Sequence, residues 1–205
     1  MDLRSHWEKI YRTKQHHEVS WWQDTPTTSL ELVHALNLPK SSRIIDVGGG
    51  DSMLVDFLLA EGFNDMTVLD ISEHALQRAH QRLGEKANRV KWIVGDVREF
   101  ESPPHYDLWH DRATAHFLTD DRDIATYIAA ASRAIKPRGY LVIGTFSTDG
   151  PTTCSGLPVR QYNEETMEQQ LQQGFVKIRC RTEDHVTPFG TKQNFLFCCF
   201  QRKAV

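Results

Sequence analysis

The chain has 205 residues, of which 40% are hydrophobic and 25% are charged, and its formal net charge at pH 7 is −3. This length and composition are typical of one soluble globular domain. The sequence has no run of Lys or Arg, which argues against a nucleic-acid partner. It has no apolar run long enough to cross a bilayer and no signal-peptide core, so we predict a cytoplasmic protein without a membrane partner.

The cysteines and histidines show no ligand spacing. The four cysteines, Cys154, Cys180, Cys198 and Cys199, include no C-x-x-C pair, and two of them lie in the apolar run 195–200. We therefore expect reduced, structural cysteines and no metal site.

Residues 1–40 are predicted to form an N-terminal helical cap rich in aromatic side chains. Ser5 is a possible N-cap of a first helix that places Trp7 and Tyr11 on one face. After Trp21-Trp22, a second helix is expected from Pro26 to about Asn37. These aromatic residues have two possible roles, to seal one edge of a sheet or to cover a bound ligand.

Strands and helices alternate through residues 41–146, which we predict to be the ligand-binding core. Strands are expected at 43–47, 66–70, 90–96, 106–112 and 140–146. The intervening helices are expected after Met53, after the cap Ser72 and after Asp120 or Asp121, with a turn at Lys136-Pro137-Arg138-Gly139 before the last strand. This alternation predicts a doubly wound α/β fold with a parallel sheet.

The alternation of strands and helices ends after residue 146. Residues 147–162 form a polar loop with Gly and Pro, which we predict to be a substrate lid with Arg160 and Tyr162 as possible contacts. A helix at 163–173 precedes strands at 175–181 and 194–200, which form an antiparallel hairpin because no crossover helix separates them. The prediction is a single domain, 1–205, with a mostly parallel seven-stranded sheet and helices on both faces.

Three of the first four strands are followed by, or end in, an acidic residue, namely Asp46, Asp70 and Asp96. Ligands of parallel α/β sheets bind at the carboxyl ends of the strands. Asp70 lies about twenty residues beyond the glycine turn, Gly48-Gly49-Gly50, where a carboxylate accepts hydrogen bonds from ribose. Each acid also has a simpler interpretation, as a helix cap or as a solvated strand end. This much fits NAD and S-adenosylmethionine equally.

The flanking residues separate the two cofactors. Asp46-x-Gly48-x-Gly50-x-Ser52 resembles the acid-x-Gly-x-Gly-x-Gly signature of class I S-adenosylmethionine-dependent methyltransferases, with Ser in place of the third glycine. Val94-Gly95-Asp96-Val97 resembles the adenine-recognising corner of the family, Tyr106-Asp107-Leu108 its fourth-strand motif, and residues 136–139 its Lys-Pro-Gly-Gly turn. An acid beside a sulfonium and an ammonium is favourable, whereas an acid beside pyrophosphate is repulsive.

The resemblance implies S-adenosylmethionine as the cofactor and assigns its contacts. Asp70 and Ile71 would hold the ribose, and Asp96 and Val97 the adenine. The other cofactor-binding residues are those around the glycine turn and two candidates beside it: Asp46, Gly48, Gly49, Gly50, Asp51, Ser52, Trp22 and His110. An NAD-linked oxidoreductase and a non-catalytic nucleotide-binding module are the more distant alternatives.

The candidate catalytic residues lie at the end of the fourth predicted strand and just after it: His110, Asp111, Arg112 and His116. Asp111-Arg112-Ala113 resembles the Asp-Arg-Gly stretch of thiopurine-type methyltransferases and the Asp-Lys-Gly stretch of translation-factor lysine methyltransferases. In the first case Arg112 would hold an anionic small molecule. In the second, Asp111 with Trp21 and Trp22 would receive a lysine ammonium. We expect a small-molecule acceptor, with a protein lysine as the alternative; purely structural roles for the two histidines, and a local ion pair for Asp111 and Arg112, also fit.

Overall fold

A computed structural model describes residues 2–103 and 105–204 of the chain. Helices pack on both faces of a central sheet. The helices are α1 (Leu3–Thr13), α2 (Thr27–His34), α3 (Leu54–Ala60), α4 (Glu73–Leu83), α5 (Asp121–Ala134) and α6 (Glu164–Leu171). The strands are β1 (Arg43–Val47), β2 (Asp65–Asp70), β3 (Val90–Val94), β4 (Tyr106–Arg112), β5 (Ile135–Phe146), β6 (Thr153–Cys154), β7 (Leu157–Pro158), β8 (Phe175–Val186) and β9 (Lys192–Arg202).

The main sheet has seven strands in the order β3-β2-β1-β4-β5-β9-β8. Strands β1 to β5 are parallel, whereas β9 runs antiparallel to both β5 and β8. This confirms the predicted fold class, including the C-terminal antiparallel hairpin. The chain winds outward in both directions from the β1–β4 pair, so the crevice at their carboxyl ends is the topological switch point, where such folds bind ligands.

The strands at the centre of the sheet are buried on both faces, as expected for parallel strands. In β1, Ile44, Ile45 and Val47 are fully buried. One core cluster joins the sheet to α5 and α6, and the other joins it to α2, α3 and α4. Because both clusters are closely packed, the switch-point edge of the sheet is held in a fixed geometry.

Three helix starts agree with the capping residues of the sequence, and two differ. Helix α2 begins at Thr27 and not at Pro26, which is its N-cap and makes no side-chain capping bond. The side chains of Ser72, Asp120 and Asn163 cap α4, α5 and α6. At α1, however, the N-cap is Asp2 and not Ser5, whose hydroxyl donates to the Asp2 carboxylate at 2.7 Å. Asp2 is a stronger cap because its charge also complements the helix dipole.

Several element bounds differ from the prediction. Strands β8 and β9 extend further into the hairpin loop than expected. Strand β3 ends two residues earlier than expected, at Val94. The segment 136–139 is not a turn before a strand but an irregularity within β5, where Arg138 adopts φ 64° and the register against β4 shifts. Bulges of this kind interrupt pairing without ending a strand, so a Pro-Arg-Gly sequence is easily taken for a turn.

The expectation of four reduced cysteines is wrong for one pair. Cys180 on β8 lies directly opposite Cys198 on β9, and the two form a disulfide. Cys154 and Cys199 are free and buried. The pairing depends on the register of two strands, which cysteine spacing alone does not give.

Two features are absent from the described residues, 2–103 and 105–204. These residues contain no helix with both the length and the apolar character needed to cross a membrane. Nor do they group three or more His, Cys, Asp or Glu side chains as a metal-ion site.

Candidate functional site

The loop after β1 needs glycine at two positions for steric reasons. Gly48 and Gly50 have φ of 63° and 49°, in the left-handed region that favours glycine. A Cβ on Gly48 would lie 1.6 Å from the Thr114 hydroxyl oxygen, and a Cβ on Gly50 would lie 2.7 Å from the Tyr11 hydroxyl oxygen. The loop backbone therefore passes very close to the segment after β4 and to α1.

Asp46 and His110 face each other across the β1–β4 pair and form a buried chain of hydrogen bonds. His110 Nδ1 lies 2.7 Å from Asp46 Oδ1, and His110 Nε2 lies 2.8 Å from the Ser29 hydroxyl oxygen. Gly49 is close as well, since a Cβ there would lie 2.7 Å from Asp46 Oδ2. Both ring nitrogens of His110 are thus occupied, which fixes the Asp46 carboxylate beneath the glycine loop.

Asp51 and Ser52, the next two residues of the loop, bind neighbouring protein groups. Asp51 Oδ2 lies 2.8 Å from His16 Nε2 and 3.5 Å from Arg78 Nη1. The Ser52 hydroxyl accepts from the Leu54 backbone N–H at 3.2 Å, at the start of α3. Ser52 thus supports the helix that follows the loop and is accommodated without crowding it.

Asp70 is a buried carboxyl at the end of β2. Its Oδ1 accepts from the Ser72 N–H at 2.7 Å, and its side chain lines a cavity above the sheet together with Ile71. Burial raises the pKa of Asp70 to about 7, helped by the nearby Asp51 carboxylate. Near neutral pH this group exchanges readily between an acceptor-only carboxylate and a protonated form.

Asp96 follows β3 and is held by an arginine two residues later. Burial raises the pKa of Asp96, but hydrogen bonds from Arg98 outweigh burial and lower it. Arg98 Nη2 lies 2.6 Å from Asp96 Oδ2, and Arg98 Nη1 lies 2.7 Å from the Asp123 carboxylate on α5. Asp96 also caps the short helix that begins at Val97.

The N-terminal aromatic residues cover this edge of the sheet. The Trp7 ring lies 5.6 Å from the Trp21 ring and 5.0 Å from the Phe117 ring. Glu8 ties α1 to the start of α4, because its carboxylate accepts from the Glu73 N–H and lies 2.6 Å from His74 Nδ1. Trp7, Trp21 and Phe117 form part of the wall of a cavity.

Two adjoining cavities lie at the switch point. The first, which we call the main cavity, is mostly apolar and is enclosed by α1, by the loops after β2, β3 and β4, and by β6 of the predicted lid. Its wall includes Trp7, Tyr11, Trp21, Gly48, Asp70, Asp96, Val97, Arg112, Phe117 and Cys154. The second, the glycine-loop cavity, includes Trp22, Asp46, Gly48, Gly49, Asp51, Ser52, His110 and Arg112.

The four candidate catalytic residues separate into two groups. His110 and Arg112 line the cavities, whereas Asp111 and His116 line neither. The Asp111 carboxylate accepts from the Tyr127 hydroxyl at 2.8 Å and from the Thr114 N–H at 3.0 Å, and burial raises its pKa to about 6. His116 Nδ1 accepts from the Phe146 N–H at 3.3 Å, and burial, with a contribution from the Arg112 charge, lowers the His116 pKa to about 3.

Arg112 lies where the two cavities meet. Its Nη1 donates to the Trp21 carbonyl oxygen at 2.9 Å, and burial lowers the pKa of Arg112 to about 10. Ala113, the next residue, adopts φ 67°, at the position where the resembling motifs have glycine. The sequence pointed to Arg112 but not to this backbone strain.

Other residues of the wall were missed or misplaced by the sequence. Thr114 and Arg98 gave no signal beyond their closeness to the predicted motifs. On the lid, Arg160 pairs with Asp121 and Tyr162 is buried in the core, so neither lines the two cavities, whereas Cys154 does. Which loop side chain turns inward depends on the β6–β7 pairing, which the sequence did not reveal.

Comparison with known proteins shows which proteins the chain is similar to. Residues 44–139 match the family of methyltransferase domains. Nodulation protein S of Rhizobium fredii is 31% identical over 80 residues, which are 39% of this chain and 45% of that protein. EEF1A lysine methyltransferase 2 of Danio rerio is 24% identical over 135 residues, which are 62% of this chain and 57% of that protein. The chain thus spans about half the length of these two relatives.

A solved structure shares the fold over almost the whole chain. It is the 1,6-didemethyltoxoflavin-N1-methyltransferase of Burkholderia thailandensis with 1,6-didemethyltoxoflavin and S-adenosylhomocysteine bound, and it matches with a TM-score of 0.75 and 20% identity over 98% of this chain and 87% of that chain. The chain shares this fold, which is the fold that the resemblance of its motifs implied. Residues 44–139 are the part of it that the family of methyltransferase domains matches.

Proposed function

We propose that the protein transfers the methyl group of S-adenosylmethionine to a small-molecule nucleophile. The observation that carries this proposal is the pair of connected cavities at the switch point, one at the glycine loop and one walled by aromatic rings. The glycine loop leaves no room for a Cβ at Gly48 or Gly50, as expected where the backbone approaches a ligand closely.

The residues present fit the cofactor. In our proposal Asp46, Gly48, Gly49, Gly50, Asp51, Ser52, Trp22 and His110 surround its amino acid end, Asp70 and Ile71 its ribose, and Asp96 and Val97 its adenine. His110 fixes the Asp46 carboxylate through a hydrogen bond, and this carboxylate supplies negative charge beside the glycine loop. Arg98 holds the Asp96 carboxylate in place and uses part of its hydrogen-bonding capacity. The adenine would therefore bind a carboxylate that also accepts from Arg98.

When bound, the cofactor supplies a methyl group already activated by a sulfonium. The acceptor atom would bond to the methyl carbon, and the electrons of the broken carbon–sulfur bond would stay on sulfur. The protein must then hold the acceptor in line and keep water out. The aromatic wall of Trp7, Trp21 and Phe117 serves both purposes.

None of the candidate bases is free to take a proton from an acceptor in the cavities. Both ring nitrogens of His110 are hydrogen-bonded, while Asp111 and His116 lie outside the cavity walls. We therefore propose a positioning role for His110, structural roles for Asp111 and His116, and direct acceptor contact for Arg112. An acceptor with a free lone pair at neutral pH needs no base.

A protein lysine is the second candidate acceptor, and the similarity to the lysine methyltransferase of Danio rerio favours it. A lysine ammonium would need a carboxylate facing the cavities beside the tryptophans. The candidate for that role, Asp111, is fully buried against Tyr127 and is absent from both cavity walls. This contrast favours a small molecule.

Two measurements test the proposal. Calorimetric titration with S-adenosylhomocysteine should show binding in the micromolar range, and absence of heat at high micromolar protein would overturn the assignment. Incubation with methyl-labelled S-adenosylmethionine and a cell lysate should then place label in the small-molecule fraction. Label in one protein band favours lysine methylation, and cofactor binding without label indicates a module that does not turn over.

A cytoplasmic location remains part of the proposal, and the Cys180–Cys198 disulfide bears on it. Disulfides persist mainly in oxidising compartments. Alkylation of freshly lysed cells followed by mass spectrometry should find both thiols reduced if the protein resides in the cytosol. A persistent disulfide under those conditions would contradict that location.

A further inference from the structure

The guanidinium of Arg112 is a buried cation with unused hydrogen-bond donors. Nη1 donates to the Trp21 carbonyl, but Nε and Nη2 are buried and have no hydrogen-bond partner among residues 2–103 and 105–204. A buried charged donor without an acceptor costs stability, so in native proteins such a group usually has a partner, which is a water molecule, an ion or a ligand where the protein supplies none.

The orientation of this cation is fixed. The Arg112 Cζ lies 4.8 Å from the centre of the Phe195 ring, which is fully buried, so the guanidinium rests on an aromatic face. The Trp21 carbonyl holds one end. The remaining edge, Nε with Nη2, is the side-on edge whose two N–H bonds are parallel, the geometry that a carboxylate accepts in a bidentate manner.

The side chains around Arg112 do not neutralise it. Burial raises the pKa of the Cys154 thiol to about 11, and burial lowers the pKa of His116 to about 3, so both are uncharged at neutral pH. The Glu183 and Asp46 carboxylates act on Arg112 only through space; burial raises the pKa of Glu183, and Asp46 is hydrogen-bonded to His110. The Nε and Nη2 donors of Arg112 therefore remain available to the anion of a bound molecule.

We propose that Arg112 binds a carboxylate of the methyl acceptor, so that the acceptor is a small molecule with an apolar body and a carboxylate. The inference rests on the proposed methyl transfer and narrows its substrate class. Trp7, Trp21 and Phe117 offer aromatic surface for the body, and Arg112 anchors the charged end where the two cavities meet. The amino acid carboxylate of the cofactor has the same chemistry, and the experiment separates the two sources.

Benzoate and its uncharged analogue benzamide are suitable probes. The protein is saturated with S-adenosylhomocysteine and titrated with each probe by calorimetry at pH 7.5. We expect benzoate to bind at least tenfold more tightly than benzamide. Arg112→Gln should remove this preference, and Arg112→Lys, which keeps the charge but loses the side-on edge, should retain only part of it. Arg160→Gln is the matched control, because Arg160 pairs with Asp121 and lines neither cavity, and it should behave as the unmodified protein.

A second titration identifies the source of the carboxylate. S-adenosylhomocysteine is compared with methylthioadenosine, which lacks the amino acid end, and Arg112→Gln should change the affinity for either by less than threefold. A tenfold loss for S-adenosylhomocysteine alone would assign Arg112 to the cofactor and overturn the proposal. Equal binding of benzoate and benzamide, or a preference that survives in Arg112→Gln, would overturn it too. Failure of the unmodified protein to bind S-adenosylhomocysteine is a different result and removes the proposed function itself.

Discussion

The two halves of the site balance their charges in opposite ways. In the proposed cofactor half, Asp46, Asp70 and Asp96 each have a partner supplied by the fold: His110, the Ser72 N–H and Arg98. In the proposed acceptor half, Arg112 donates to one backbone carbonyl, and its Nε and Nη2 have no partner within the described part of the chain. The first half is organised before any ligand arrives, whereas the second is completed only by a ligand. Affinity for the cofactor should therefore depend on shape and placement, and affinity for the acceptor on charge.

The largest expected effect tests the shape of the cofactor half. Gly48→Ala places a methyl group where the Thr114 hydroxyl oxygen lies, at a backbone φ of 63° that favours glycine. Thr114 must move, and the loop with it. We expect a loss of S-adenosylhomocysteine affinity of at least thirtyfold by calorimetry, with a stability loss of about 2–4 kcal/mol in urea unfolding.

Gly62→Ala provides the matched control for that substitution. Gly62 also has a positive φ, 95°, but a Cβ there meets nothing within 4 Å. Its cost should be backbone strain alone, about 1 kcal/mol, with unchanged cofactor affinity. If Gly48→Ala binds S-adenosylhomocysteine within threefold of the unmodified protein, the close approach of the loop is not important for binding.

The difference between the two halves of the site also explains which of its features could be predicted from the sequence. The acids of the cofactor half follow parallel strands, and the carboxyl ends of such strands meet at one edge, so their proximity follows from the strand order. The bounds of β4 also agree with the prediction, 106–112. Side chains alternate along a strand, so His110 and Arg112 point to one face and Asp111 to the other. That alternation was readable in the sequence, although Asp111 was grouped with its neighbours.

The other features of the structure depend on packing between segments that are far apart in the sequence. The contact of Tyr11 with Gly50, the inward turn of Cys154 and the Cys180–Cys198 disulfide each join segments whose relative placement is set by the whole fold. Hydrophobic patterns fix elements and faces but not which loop residue meets which. The sequence therefore predicts that the three acids lie along one edge of the sheet, and it leaves the acceptor half as two alternatives.

A smaller effect is expected at Asp70, and it depends on pH. The ionised carboxylate accepts hydrogen bonds from ribose hydroxyls, and the pKa of Asp70 is raised to about 7. Affinity for S-adenosylhomocysteine should then rise about tenfold between pH 6 and pH 8 and level off above. Asp70→Asn should bind about tenfold more weakly at pH 8 and show a flat profile. A pH dependence that persists in the variant would assign the titration to another group.

The same substitution should stabilise the protein without ligand. In the unfolded chain Asp70 loses its proton near its ordinary value of 3.8, but in the folded protein only near about 7. Between these values the folded state holds a proton that the unfolded state has released, so stability falls as the pH rises through this window. Asparagine has no such penalty, and Asp70→Asn should be more stable at pH 8 by roughly 2–4 kcal/mol in urea unfolding, with little gain at pH 4.

The smallest effect on binding is expected at Asp111, which has its partners within the core. In Asp111→Asn the amide oxygen can still accept from the Thr114 N–H, but the amide nitrogen faces the Tyr127 hydroxyl oxygen, which already receives the Trp109 indole N–H. The Tyr127 O–H loses its acceptor, at a cost of about 1–2 kcal/mol. Burial raises the pKa of Asp111 to about 6, so above pH 6 the substitution also removes the cost of a buried charge. We therefore expect a lower stability at pH 4 but not at pH 8, and an affinity for S-adenosylhomocysteine within twofold of the unmodified protein at both. A tenfold loss of affinity would return Asp111 to the site and restore the lysine alternative.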